Sequence, residues 1–169
     1  MSAGNASSLI FRKASEVDFP ALWALWVEVC EAGTAFMMRG DELDESVFRA
    51  EWFAPEAVVY LALFENETAG AYVVHPNRVG RGKHIANATY MVSEKWRGHG
   101  IGYQLGEHSL KIAKDLGFHA MQFNAVISTN ESAVKLWQKL GFEIIGTVPQ
   151  GFDHPSLGYV DYHIMYRFL

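Results

Sequence analysis

Between Trp96 and Glu107 the chain reads WRGHGIGYQLGE, with glycines at 98, 100, 102 and 106. Backbone this bare, just ahead of an apolar-periodic run, suits one kind of chemistry. The first N–H groups of a helix have no intrahelical acceptor and carry the positive end of its dipole. A loop without side chains can wrap an anion there and direct several N–H groups at it. A flexible surface turn is the plain alternative. Two asparagines, Asn87 and Asn124, sit inside the apolar runs HIANATYMV and MQFNAVI on either side. A carboxamide cannot take a proton from a reacting group. It can donate to a carboxylate or an oxyanion, and it can hold an attacking amine or a water. Satisfying splayed strand backbone is the competing use, but buried strands rarely hold two carboxamides without a partner.

Chain periodicity supplies the elements that position these residues. Leu9 to Ala14 reads as a first strand. Asp18 can cap a helix with Pro20 in its first turn, and Leu22, Leu25, Trp26 and Val29 fall on one face. A second helix is expected from about Asp41 to Trp52. Val58 to Phe64 and Gly70 to Val74 read as strands, and His75 to His84 as a hairpin loop. Ile85 to Val92 is a fourth strand, on which Asn87, Thr89 and Met91 share a face. The glycine segment opens a helix running to about Leu116, with Ile101, Leu105, Ile112 and Leu116 as its apolar stripe and Gly117 as its stop. Met121 to Ile127 is a fifth strand. Asn130 can cap the next helix, whose Ala133, Trp137 and Leu140 share a face and which Gly141 ends. Phe142 to Val148 and Tyr159 to Phe168 close the chain. This order predicts a mixed α/β (α+β) domain over residues 1–169, with a mostly antiparallel sheet and a loose terminus over residues 1–7.

Composition bounds the function. The 169 residues suit one domain, and half of them are hydrophobic, which excludes disorder. A formal charge of -5 argues against a nucleic-acid partner. The start, MSAGNASSLIFRKA, lacks a secretory pattern, and no apolar run reaches the roughly 20 residues that span a bilayer. Cys30 is the only cysteine, and the seven histidines show no metal-ligand spacing, so no metal is expected. These readings point to the cytoplasm and to no membrane partner. Exposed closing strands are compatible with a homodimer.

Three phosphate ligands compete for the glycine segment. A P-loop needs GxxxxGK followed by Ser or Thr, which is absent. A dinucleotide fold needs GxGxxG early in the domain. Coenzyme A is the third. Arg97-Gly98-His99-Gly100-Ile101-Gly102 matches Arg/Gln-x-x-Gly-x-Gly/Ala and resembles the pyrophosphate loop of the GCN5-related N-acetyltransferases (GNAT). The run NESAVKLWQKLGF from Asn130 to Phe142 is similar to that family's second signature, Asn-x-x-Ala, an apolar and aromatic pair, then Gly-Phe. The resemblance covers roughly residues 8–169 and is firmest over 84–148. HIANATYMV and FNAVISTNESAVKLWQKLGFEIIG further resemble the fungal proline-analogue (azetidine-2-carboxylate) N-acetyltransferases.

The resemblance implies a sheet of about seven strands with about four helices, splayed between strands 4 and 5. It implies acetyl-CoA as co-substrate. The pantetheine arm would pair with backbone near Met91 and Val92, and the pyrophosphate with N–H groups from Arg97 to Tyr103. Asn130 and Trp137 would also touch the cofactor. It implies direct attack by a small-molecule amine, here a cyclic imino acid or other amino acid, on the thioester. Other amine, peptide or antibiotic acceptors, and a non-catalytic acyl-CoA sensor, stay open. The fourth-strand Glu that often acts as base in the family is missing, and Trp137 stands where a Tyr often acts as acid. The fungal proline-analogue enzymes share an Asn on the fourth strand and an Asn after Phe on the fifth, so that resemblance makes Asn87 and Asn124 the expected catalytic and acceptor-binding pair. His84, Tyr90 and a water are open for proton transfer. Phe152, His154 and Tyr159, in the expected loop from Gln150 to Tyr159, are further acceptor candidates. Trp23, Trp26 and Phe36 read as core with a lesser claim to the pocket wall. Arg78, Arg81, Lys83 and Lys139 read as solvated charges that could alternatively meet a substrate carboxylate or a cofactor phosphate.

Overall fold

The computed structural model describes residues 9–169; the expected loose terminus over 1–7 lies outside the described residues. Along the described chain run β1 (Ile10–Lys13), α1 (Phe19–Ala32), α2 (Glu45–Trp52), β2 (Val58–Phe64), β3 (Glu67–Pro76) and β4 (Ile85–Val92). Then come α3 (Ile101–Asp115), β5 (Ala120–Ile127), α4 (Glu131–Lys139), β6 (Glu143–His154) and β7 (Gly158–Phe168). The seven strands form one sheet in the order β1-β2-β3-β4-β5-β7-β6. Every neighbouring pair is antiparallel except β4 and β5, which run parallel. The element order is the one expected from periodicity.

Strand alternation divides the core in two. Ala71, Val73 and Met91 point to the face covered by α1 and α2, where Leu22, Leu25, Trp26, Val29, Phe48 and Trp52 are buried. Tyr72, Val74, Ala86, Ala88 and Met121 point to the opposite face, under α3 and α4. Each helix stripe therefore has a matching strand stripe, and the sheet is covered on both faces.

Several boundaries differ from the sequence expectation for local reasons. α2 begins at Glu45 rather than near Asp41, because the Asp44 carboxylate caps it by accepting from the Ser46 N–H at 2.7 Å. Asp18 precedes α1 but does not cap it with its side chain. Its carboxylate accepts instead from Arg12 at 2.6 Å and from the Ser15 N–H at 2.9 Å, tying β1 to the start of α1. Leu116 lies outside the buried stripe of α3, half exposed beyond the helix end; Ser109, Leu110 and Ala113 carry the stripe instead. β6 runs on to His154, so most of the expected loop from Gln150 is strand. The ladder shifts register between Val148 and Phe152, and Gln150 takes a positive φ of 53°. Such a bulge lets an edge strand accommodate Pro149 and continue.

Under α3, the Tyr72 hydroxyl lies 2.7 Å from His108 Nδ1, and the His108 ring stacks on Phe11 at 4.1 Å. Burial, followed by the nearby Lys111 charge, lowers the His108 pKa. The unfolded chain therefore binds the His108 proton more readily than the folded chain. Stability contributed by neutral His108 is complete above an unfolded value of about 6.5 and declines as pH falls below it. The apparent Tm should drop between pH 7.5 and 5.5, and a His108→Gln variant should show a shallower drop over that interval.

Candidate active site

β4 and β5 form ladder pairs only at Ile85 with Ala120 and Ala86 with Met121. Beyond them the strands diverge. β5 also shifts register against β7 between Phe123 and Val126, which takes Asn124 and Ala125 out of the regular ladder. The edge of β4 from Asn87 to Val92 thus keeps β3 on one side and faces an open gap on the other. Backbone groups on such an edge need partners, and an extended ligand can supply them. The gap opens into a cavity of about 400 Å³. Trp26, Phe36, Met38 and Val47 wall it on the α1–α2 side, and Phe123 and Trp137 on the other.

Asn87 and Asn124 both line this cavity, one from each diverging strand. Asn124 is held at both ends of its carboxamide. Its Oδ1 accepts from Gln122 Nε2 at 2.9 Å, and its Nδ2 donates to Asn77 Oδ1 at 2.7 Å. One N–H of the amide is left over. Asn87 differs: no side-chain hydrogen bond joins it to another described residue, so its donors and acceptor are all available to a ligand.

The helix that begins beside this gap is prepared by its glycines in two ways. Gly98 and Gly100 have φ of +79° and +73°, backbone that residues with a Cβ rarely adopt, and Gly100 is the residue before α3. Gly102 and Gly106, within α3, also serve packing. A Cβ on Gly102 would lie 3.2 Å from Leu136, and one on Gly106 would run into Leu140 and the Trp137 ring. Their bareness brings α4 close against α3. The sequence assigned all the glycines to an anion; two of them allow helix–helix contact. His99 is turned into its own loop, with Nδ1 within 3.2 Å of the Trp96 and Arg97 carbonyls. Two acceptors there fix the proton on Nδ1 and brace the loop. Arg97 is exposed, and Ile101 is buried beneath the helix. Tyr103 packs under the Lys139 ammonium, 4.7 Å from its ring centroid. Lys139 is therefore placed at the α3–α4 surface rather than free in solvent.

At the other end of the gap, Asn130 caps α4, its Oδ1 accepting from the Ala133 N–H at 3.3 Å and from the Ser132 hydroxyl at 3.0 Å. Its amide N–H₂ remains on the cavity wall. Trp137 is buried, packs at 4.6 Å from both Tyr90 and Phe123, and also lines the cavity. Met91 is buried and Val92 half-buried, both on the open β4 edge.

Other expected residues go elsewhere. Tyr159 is 70% exposed on β7 and Phe152 is buried in β6; neither they nor His154 line the cavity. The extension of β6 carried them along a regular hairpin. His84 is exposed at the start of β4, outside the cavity. The Tyr90 ring borders the cavity, but its hydroxyl is 2.7 Å from Ser109 Oγ under α3 and burial drives its pKa well up. It is a poor proton donor or acceptor. Lys83 pairs with Glu56 at 2.9 Å. Trp26 and Phe36, read chiefly as core, are cavity wall as well; Trp23 packs only in the core, against Phe19 and Phe48.

Sequence reasoning missed Glu51. It stands on α2 between the buried Phe48 and Trp52 and reaches the cavity across β4. Its Oε1 accepts from the Thr89 hydroxyl at 2.6 Å and lies 3.9 Å from His75 Nε2. The one available signal was its spacing: Val47 and Glu51, four apart, share the helix flank beside the buried stripe. Among the described residues no cluster of histidine, cysteine and carboxylates is arranged to hold a metal, and no helix is long and apolar enough to cross a membrane.

The split sheet thus sets the bare-backbone start of α3 beside a gap lined by two carboxamides, one from each diverging strand. The acetyltransferase (GNAT) family model matches residues 21–142, and the chain belongs to that family. A GCN5-related N-acetyltransferase from Kribbella flavida is 40% identical and superposes with a TM-score of 0.89, over 95% of this chain and 98% of that one. The N-acetyltransferase aca1 of Schizosaccharomyces pombe is 34% identical over 112 residues, 66% of this chain; the match spans only 54% of aca1. That fungal relative accords with the fungal resemblance of the β4 and β5 segments. The L-methionine sulfoximine/L-methionine sulfone acetyltransferase of Pseudomonas aeruginosa is 28% identical over 151 residues, 85% of each chain.

The cap on α4 can be tested separately from any chemistry. Asn130→Ala should cost about 1 kcal/mol of folding stability in urea titration, and Asn130→Asp should recover most of it.

Proposed function

We propose that this chain is an acetyl-CoA-dependent N-acetyltransferase for a small amine, with a cyclic imino acid such as a proline analogue, or another amino acid, as acceptor. The observation that carries this reading is the pair Asn87 and Asn124, presented from two diverging strands to one cavity, with the Asn87 side chain making no hydrogen bond to another described residue. Family membership and the bare start of α3 support the cofactor.

The residues fit acetyl-CoA by their chemistry. N–H groups from Arg97 to Tyr103 would take the pyrophosphate at the positive end of α3. The open β4 edge at Met91 and Val92 would pair with the amides of the pantetheine arm, and Asn130 N–H₂ and the Trp137 ring would border it. When bound, acetyl-CoA supplies an acyl group activated as a thioester. The chain's task is then to orient an amine and steady developing negative charge on oxygen. Asn87 can hold the attacking nitrogen or an acceptor carboxylate. Asn124, immobilised by Gln122 and Asn77, can direct its remaining N–H at the acceptor or the thioester oxygen. The apolar wall of Trp26, Phe36, Met38 and Val47 suits the compact body of an imino acid. Action in the cytoplasm, where acetyl-CoA is available, fits the same reading.

Thiol release from acetyl-CoA should rise on adding azetidine-2-carboxylate or another member of a small-amine panel. Asn87→Ala and Asn124→Ala should each lower kcat/KM at least tenfold; unchanged values for both would remove them from the site. Gly100→Glu combines a side chain at φ +73° with a negative charge at the start of α3. It should weaken acetyl-CoA binding by tenfold or more in calorimetry.

A further inference from the structure

The mechanism above leaves the amine proton without a destination. No carboxylate occurs in β4, Tyr90 is committed to Ser109, and His84 is outside the cavity. Among the residues that line the cavity, Glu51 is the only acidic one, and no lysine, arginine or histidine lines it. Its side chain is 34% exposed, so it is reachable from the cavity without being fully solvated. The carboxylate is held by one strand and approached by a second. Thr89 on β4 donates to Oε1 at 2.6 Å, and His75 Nε2 on β3 faces the same oxygen at 3.9 Å. The His75 ring is oriented by its other nitrogen, Nδ1, which is 3.0 Å from the Pro76 carbonyl and must donate to it. Nε2 is therefore the nitrogen free to exchange a proton with Glu51. Thr89 shares the β4 face with Asn87, and His75 pairs with Asn87 across the β3–β4 ladder. Glu51, Thr89 and Asn87 thus form one polar corner of the cavity, with His75 beside Glu51 outside the lining.

We propose that Glu51 is the catalytic residue that receives the acceptor amine: it pairs with the ammonium and takes its proton before attack. This rests on the acetyltransferase reading above and supplies the base that reading lacks. Thr89 is the positioning residue that fixes the carboxylate. The site then has opposite polarity at its two ends, a negative carboxylate for the ammonium and neutral carboxamide donors for an acceptor carboxylate. That pattern matches an amino or imino acid as a zwitterion. It disfavours acceptors with a second acidic group near the amine, which no cation in the cavity would balance. The proton and electron count closes. One ammonium proton passes to Glu51, with His75 Nε2 as its next stop. The nitrogen lone pair forms the C–N bond, the C–S bond breaks with its electron pair on sulfur, and the second nitrogen proton leaves with the thiolate.

The test uses the full chain, acetyl-CoA, and azetidine-2-carboxylate as acceptor, or the panel amine that the wild type acetylates faster. Glu51→Gln keeps shape and removes the charge. Its acetyl-CoA affinity and Tm should match the wild type, whereas kcat/KM for the amine at pH 7 should fall about 100-fold or more, the scale of general base catalysis. The pH profile separates chemistry from scaffolding. The wild-type profile should be the flatter of the two. Glu51→Gln should keep rising about tenfold per pH unit towards the amine pKa, because it can use only amine already deprotonated in solution. Thr89→Val should move the acidic limb of the wild-type profile to higher pH, since the ionised carboxylate loses a donor, and Thr89→Ser should restore it. If Glu51→Gln keeps kcat/KM within threefold, or keeps the wild-type profile at reduced height, the inference is overturned while the acetyltransferase reading stands. A wild type that binds acetyl-CoA and acetylates no amine overturns both.

Discussion

The parallel junction between β4 and β5 is the constraint on which the molecule depends. Two residue pairs, Ile85 with Ala120 and Ala86 with Met121, are the whole of its ladder. They join an antiparallel unit of β1 to β4 to a second of β5, β7 and β6. A longer ladder would seal the gap, and a shorter one would leave the halves linked only through helices. The buried contacts of Ala86, Ala120 and Met121, all fully covered, hold the junction closed at its base. Past it, the β5 register shift and the twist of each half open a wedge lined by unpaired strand edge.

The wedge works because the pieces around it are rigid. α3 and α4 meet closely through Gly102 and Gly106, which fixes the start of α3 relative to the cap of α4. On the other face, Trp26, Phe48 and Trp52 pack as an aromatic cluster, with ring centroids 5.4 to 6.5 Å apart, and hold α2 against the sheet. Glu51 rides on that cluster. A carboxylate on a mobile loop would lose more entropy on meeting an amine than one seated on a packed helix. The two walls of the wedge are thereby built from separate halves of the core, with the splayed strands between them.

Much of this was legible in the sequence, because the relevant signals are local. The glycine run, the Asn130 cap and the apolar stripe of α1 each lie within one element, and strand alternation correctly grouped Asn87, Thr89 and Met91. Contributions that depend on distant elements were not legible. Nothing near Glu51 announces that α2 will cross β4 at Thr89, 38 residues on. The roles of Gly102 and Gly106 need α4 to be in place. Phe152 and Tyr159 were placed in a loop from Gln150 to Tyr159, whereas β6 runs on to His154 through a bulge and neither residue lines the cavity. The absence of a Glu in β4 was a correct observation about sequence; the fold brings one to the neighbourhood from another helix.

Under the proposed function, acetyl-CoA binds in the wedge between β4 and β5 and at the start of α3. Amide hydrogen exchange with and without acetyl-CoA addresses it residue by residue. The account predicts slowed exchange at N–H groups of β4 that face the gap between Ala88 and Val92, and in the first turn of α3 at Ile101 to Tyr103. The far edge strand β1 should be unchanged. Protection confined to other elements, or none at saturating acetyl-CoA, would contradict it.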